Sequence, residues 1–321
     1  MTRLEAWAVD GIGEVGASTD LAAVVARLDL EDGDIVLVTS KVVSKAEGRV
    51  RAGEREQAIR DETVRVVARR GPTSIVENHL GLVMAAAGVD ASNVTAGHVV
   101  LLPEDPDASA RTIRRRVYDE SGRNVAVLVT DTAGRAWRTG QTDLAVGVAG
   151  LEPLDDFAGR TDSYGNELAV TAPAVADELA SLAELVTGKL GGRPVSVVRG
   201  LAERVLPPGE DGPGAVVLLR PREQDMFALG AREAVLAAVR GDQADCFGAP
   251  APTEEVRAAL ESCGLEAEAE GISVRVHLPA EARDQVAAAE RVRVVAHAHG
   301  WRPQSDTATD DTLTVTPARP R

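Results

Sequence analysis

The sequence predicts an α+β (mixed α/β) fold, and three observations predict it. Short apolar runs alternate with longer amphipathic ones, the short runs have strand length, and clusters of Gly, Pro and Asp separate them. The strand-like runs lie at 35–39, 97–102, 125–130, 195–199 and 215–219. Helical periodicity is clearest at 20–28, where apolar residues follow an acidic cap, at 108–118, and at 174–189, which stops before Gly191 and Gly192. The stretch GLAERVLPPGEDGPG at 200–214 reads as a loop, because paired prolines and a Gly/Pro exit allow neither helix nor central strand.

At 321 residues the chain has room for about two domains. Residues 1–240 form the first. Residues 241–252 (GDQADCFGAPAP) shift to turn-forming composition and read as a linker, after which a helix–strand–helix–strand pattern predicts a small α+β appendage over 253–321. Its final stretch, 302–321, is rich in Asp, Thr and Pro and is expected to be loosely held.

Composition narrows the function. Hydrophobic residues make up 44% but aromatics only 2%, so the core must be built from Ala, Val and Leu, and binding by aromatic stacking is disfavoured. A net charge of -15 repels polyanions, which argues against nucleic acid and anionic membrane as partners. Cys246 and Cys263 lack metal-ligand spacing. The start, MTRLEAWAVDGIGEVG, has no signal-peptide pattern and no run of about 18 apolar residues follows, so the expected address is the cytoplasm.

Three segments carry groups suited to a metal–phosphate site. In VTDTAGRAWRTGQTD (129–143), Asp131 and Thr132 end an apolar run and enter a loop containing Arg135 and Arg138. Carboxylate and hydroxyl oxygens suit a hard cation such as Mg²⁺ or Mn²⁺, and the arginines suit phosphate. The same residues also suit a capped turn and a solvated loop, and spacing alone does not decide. In GLVMAAAGVDASNV (81–94), Asp90 and Asn93 could hold a metal and a nucleotide, or form an Asx turn or helix N-cap. In VTSKVVSKAEGRV (38–50), Ser40, Lys41 and Lys45 place donors and positive charge at a strand end. No GxxxxGK[ST] pattern occurs. Backbone N–H groups of Gly11, Ile12, Gly13 and Glu14, and of Thr187, Gly188, Lys189, Leu190, Gly191, Gly192, Arg193 and Pro194, could approach phosphate. His79 and His98 are isolated and His277, His297 and His299 cluster late in the chain, so neither a zinc site nor a catalytic triad is indicated.

In this order the segments SKAEGRV, AGVDASNV, LLPEDPDASA, DTAGRAWRTGQTDLAVGVAG, GRTDSYGNELAVT, ADELASLAELV and PVSVVRGL resemble the coenzyme F420-0:L-glutamate ligase family, F420 being a deazaflavin cofactor. The resemblance covers most of residues 1–240. It implies a fold of two intertwined α+β subdomains, a homodimer, and GTP-driven addition of L-glutamate through a γ-linkage to the coenzyme precursor F420-0, by way of an acyl phosphate. It implies Mg²⁺ or Mn²⁺ with K⁺ assisting, and metal positions at Asp90, Asp131 and Thr132; Asp131 and the phosphate-clamping Arg135 are the candidate catalytic residues. Asn93, Ser40, Lys41 and Lys45 match nucleotide positions, and Gly11–Glu14 with Thr187–Pro194 match the phosphate- and base-contacting loops. Two departures stand out. The segment between Lys45 and Asp90 is shorter than the resemblance leads one to expect, and Lys189 stands where some relatives place a ligand for a second metal, so no ligand is assigned there. The stretch after residue 240 matches nothing in the resemblance and is too short for the flavin-binding domain that some bacterial relatives carry. Two alternatives to the family reaction are a nucleotide-binding regulatory paralogue without catalysis and an amide ligase acting on another carboxylate.

Overall fold

The computed structural model describes residues 3–304 and 311–318. The chain divides into two compact units, Met1–Leu219 and Arg220–Arg321.

The first unit begins with β1 (Glu5–Ala8) and α1 (Leu21–Ala26), whose cap Asp20 accepts a hydrogen bond from Ala23 N at 3.0 Å. β2 (Ile35–Thr39) runs directly into α2 (Ser40–Ala46). Then come β3 (Val50–Ala52), α3 (Arg55–Glu62) and an antiparallel sheet of β4 (Thr63–Arg70), β5 (Thr73–Asn78) and β6 (Val83–Ala85). β7 (His98–Val100) pairs back onto β3. α4 (Pro106–Ser121) stops at the left-handed Gly122 and leads into the hairpin β8 (Ala126–Gly134) and β9 (Gln141–Ala149). A short hairpin of β10 (Arg160–Thr161) and β11 (Glu167–Leu168), α5 (Val175–Thr187) and β12 (Val195–Arg199) complete the unit's regular elements.

The main sheet has the order β1-β12-β2-β8-β9, with β2 and β8 its parallel pair. Its inner strands read as unbroken apolar runs because both faces are covered. Val36, Val38, Val127, Val129, Val195 and Val197 pack in the cluster that contains α1 and α4, while Ile35, Leu37, Ala126, Leu128 and Val198 pack in the one that contains α5. At the edge, β9 has two N–H groups taken by side chains from the flanking helices: Ala145 N donates to Asp177 Oδ1 and Val148 N to Asp107 Oδ1. Gly147 is required there, since a Cβ would lie 2.3 Å from Pro106 O.

In the second unit, α6 (Ala231–Arg240) packs on the long helix α8, which follows α7 (Thr253–Ser262), β13 (Glu266–Glu270) and β14 (Ser273–His277). α8 spans Ala282–Ala298, and β15 (Trp301–Pro303) and β16 (Thr312–Pro317) close the sheet in the order β13-β14-β16-β15. Val256, Leu260, Val274, Val276, Val292, Trp301 and Val315 form a core of its own.

Several expectations need correction. Residues 215–219 are not a strand: Ala215–Leu218 is a 3-10 turn, pinned where Ala215 N donates to Asp107 Oδ1 at 2.7 Å, with Val216 and Val217 exposed. Each half of the second unit carries a hairpin rather than one strand, giving helix–strand–strand–helix–strand–strand. Within 302–321, β16 is a paired strand with Val315 buried, not a loose tail; residues 305–310 and 319–321 lie outside the described residues. The β4–β6 sheet was not anticipated. Among the described residues no helix is long and apolar enough to cross a membrane.

Buried Arg114 ties α4 to the loop after β12. It donates to the carbonyls of Val125, Leu206, Pro207 and Glu210 at 2.9–3.0 Å and pairs with Asp211 at 3.0 Å. Arg114→Met keeps the apolar stem but leaves those carbonyls unpartnered. It should lower unfolding stability by about 3 kcal/mol or more, read from the urea midpoint.

Candidate functional site

The parallel register of β2 and β8 ends with Thr39 beside Thr130. The next residue of each chain segment is therefore also adjacent: Ser40, opening α2, donates its Oγ to Asp131 Oδ1 at 2.6 Å. β8 does not end there. It continues to Gly134, so Asp131 and Thr132 lie within a hairpin strand rather than at the mouth of a loop, as the sequence suggested.

Alternation along β8 sends the two side chains to opposite faces. Asp131 follows Val127 and Val129 toward the side of α2. Thr132 follows Leu128 and Thr130 toward the side of α5. Across the hairpin Thr132 pairs with Asp143, and its Oγ1 donates to Asp143 Oδ1 at 2.7 Å. A bulge makes this possible. Val129 pairs with Gly147 but Thr130 with Ala145, so β9 carries one extra residue at Val146; without it, β9 would turn Asp143 to the other face.

Asp90 arrives from the segment after β6 and forms the Asx turn, accepting from Ser92 N and Ser92 Oγ, both at 2.8 Å. It is also an ion-pair partner: Lys41 Nζ lies 2.5 Å from Asp90 Oδ2 and 2.7 Å from Ser92 Oγ. One helical turn on, Lys45 pairs with Glu14 at 2.7 Å. Burial pushes the Asp90 carboxyl up, but hydrogen bonds from Lys41 and Ser92 and the Lys41 charge outweigh it and hold it below the usual carboxylate range. Asp131 goes the other way. Burial raises it, the Ser40 hydrogen bond opposes, and the charges of Asp143 and Asp90 add to the rise, so it is pushed up to about 6.

Beside these groups lies a cavity of about 600 Å³, within the usual range for a small-molecule site. Ile12, Gly13, Glu14, Lys41, Lys45, Asn93, Thr132, Thr187, Gly188, Lys189, Leu190, Gly192, Arg193 and Pro194 line it, all singled out from the sequence. Gly11, Ser40, Asp90, Asp131, Arg135 and Gly191 do not. Ser40 and Asp90 instead hold Asp131 and Lys41, and Arg135 donates to Thr139 O at 2.8 Å within its own hairpin loop. The wall also contains Thr39, Thr130, Asp143, Glu184 and Ser196, which the sequence reading passed over. Asp143 sits in the quoted motif at its last position; only recognition of β9 as the partner of β8 makes its role visible.

The donor set fits a hard divalent cation. The charges of Asp90 and Asp143 both act on Asp131, and Lys41 is the cation that offsets them there. No group of three or more His, Cys, Asp or Glu side chains forms a ready-made cage among the described residues. Two carboxylates with the remaining shell left to water and phosphate is the usual arrangement for Mg²⁺.

The sequence matches the family described as F420-0:Gamma-glutamyl ligase over residues 11–200, more than half of the chain. The chain belongs to the F420-0:gamma-glutamyl ligase family. That makes it a ligase forming carbon–nitrogen bonds. It is 40% identical over 221 residues to the coenzyme F420:L-glutamate ligase of Archaeoglobus fulgidus, covering 62% of this chain and 88% of the relative. To the protein of that name from Methanothermobacter thermautotrophicus it is 39% identical over 246 residues, 68% of this chain and 96% of the relative. To that of Halobacterium salinarum it is 42% identical over 224 residues, 61% and 87%.

The raised Asp131 carboxyl has a consequence for metal-free protein. Between the ordinary value of 3.8 and about 6 the folded chain holds a proton that the unfolded chain releases. Stability therefore falls as pH rises through that window, by up to about 3 kcal/mol. In chelator, Asp131→Asn should lack this loss, so urea unfolding at pH 7 should find the variant as stable as the parent or more so.

Proposed function

We propose that the chain joins L-glutamate through a γ-linkage to coenzyme F420-0, a step of coenzyme F420 biosynthesis, with GTP activating the precursor's carboxylate as an acyl phosphate. The observation that carries the proposal is the meeting, at the end of the β2–β8 pair, of Asp131 with Asp90 and of Lys41 with both, beside a cavity of nucleotide size. The names of the curated relatives support the substrates.

In this reading Asp90 and Asp131 hold Mg²⁺ or Mn²⁺, with Thr132 the further oxygen the resemblance names. The ion supplies charge that draws electrons from the transferred phosphoryl group. Lys41 and Lys45, freed from Asp90 and Glu14, offset the charge of the triphosphate. The loops at 11–14 and 187–194, with Asn93, hold the rest of the nucleotide against the cavity wall. A precursor carboxylate oxygen then attacks the γ-phosphorus and GDP leaves; the glutamate amine, having lost a proton, attacks the acyl carbon and phosphate leaves. Both steps bring anions together, so fixed positive charge and exclusion of water set the rate. Potassium dependence and a cytoplasmic address belong to the same proposal. A homodimer does too, and the exposed Tyr164, Val170, Leu185 and Leu190 of the first unit give it apolar surface to bury.

Purified protein given F420-0, L-glutamate, GTP and Mn²⁺ should yield, by mass spectrometry, the precursor extended by glutamyl residues, with one GDP and one phosphate per bond. Asp131→Asn should reduce this by about 10²–10³-fold or more while leaving the circular dichroism spectrum unchanged. GTP binding without phosphate release would instead favour the regulatory paralogue.

A further inference from the structure

Asp131 and Thr132 are neighbours in sequence, but alternation along β8 turns them to opposite faces, so a cation at one would not sit at the other. The two positions differ in charge. On the Asp131 side, two carboxylates, Asp131 and Asp90, share the single ammonium of Lys41, leaving one negative charge over. On the Thr132 side there is one carboxylate, Asp143, and the ammonium of Lys189 reaches the hydroxyl that Asp143 holds, Nζ to Thr132 Oγ1 at 3.0 Å.

The Thr132 hydroxyl already has a partner for its proton and a cation on its oxygen. Its proton goes to Asp143 Oδ1 at 2.7 Å and its oxygen accepts from Lys189. The carboxylate of Asp90 can exchange an ammonium for a divalent ion and gain charge attraction, but a neutral hydroxyl gains none and would bring the ion against Lys189. The chain delivers Lys189 here because α5 ends at Thr187 and Gly188, with φ +62°, turns the backbone out of the helix.

We infer that the Lys189 ammonium occupies the cation position beside Thr132, so that the site takes one divalent ion, at Asp90 and Asp131, and not two. Lys189 is then a positioning residue that faces the nucleotide as a fixed monovalent cation. The inference rests on the metal–nucleotide reading of this cavity and corrects its assignment of Thr132.

The test counts Mn²⁺ bound per chain in the full-length protein saturated with a non-hydrolysable GTP analogue, by equilibrium dialysis with electron paramagnetic resonance of the free ion and with bound nucleotide quantified. The parent should bind one ion per chain. Lys189→Glu, which replaces the ammonium with a carboxylate beside Thr132 and Asp143, should bind two, with an unchanged circular dichroism spectrum. Two ions in the parent, or one in a folded Lys189→Glu variant, would overturn the inference while leaving the metal–nucleotide reading intact. No bound ion in the parent would overturn that reading itself.

Discussion

The site is organised by an electrostatic conflict: the carboxylates of Asp90 and Asp143 are brought close enough to Asp131 to raise its affinity for a proton. Nothing in folding rewards this, because like charges in a partly dry environment oppose the compact state. The surrounding architecture reads as the means of holding them. The parallel register of β2 and β8 sets Ser40 on Asp131, the bulge at Val146 turns Asp143 toward Thr132, and the Asx turn at Asp90 presents its carboxylate to Lys41. Each device is local, yet all three act at the same sheet end.

The lysines supply what charge balance there is. Lys41 on Asp90, Lys45 on Glu14 and Lys189 on Thr132 each contact a group of the site, and all three line the cavity. Such pairs are individually weak where they reach solvent. In the proposed reaction the ammonium groups of Lys41 and Lys45 would turn from those carboxylates to phosphate as a metal–nucleotide complex enters. Family membership makes the chain a ligase forming carbon–nitrogen bonds, and in the proposed route through an acyl phosphate anions must meet.

How much of this was legible in the sequence depends on where each signal sits. Residues 35–39 and 195–199 were read to the residue, because a strand covered on both faces is a continuous apolar run. The 215–219 run has the same appearance but fails as a strand, since Asp107, distant in sequence, captures the Ala215 amide. β4, TVRVVARR, was missed because a half-exposed strand rich in arginine has little apolar contrast. In the site, Asp131, Asp90, Lys41 and Lys45 could be named from residue type beside apolar runs. Asp143 could not, because its position is set by a hairpin register and a bulge, neither of which leaves a mark on local composition. The pairing of Lys41 with Asp90 is likewise invisible without the fold.

The central claim is that Asp90 and Asp131 converge on one divalent ion that also holds the triphosphate. Crystals grown with Mn²⁺ and a non-hydrolysable guanine nucleotide, measured at the manganese absorption edge, address it most directly. The account predicts an anomalous peak within about 2.0–2.4 Å of a carboxylate oxygen from each residue and of phosphate oxygens, with Lys41 moved off Asp90. Bound nucleotide with no manganese between those two side chains, and Lys41 still paired with Asp90, would contradict it.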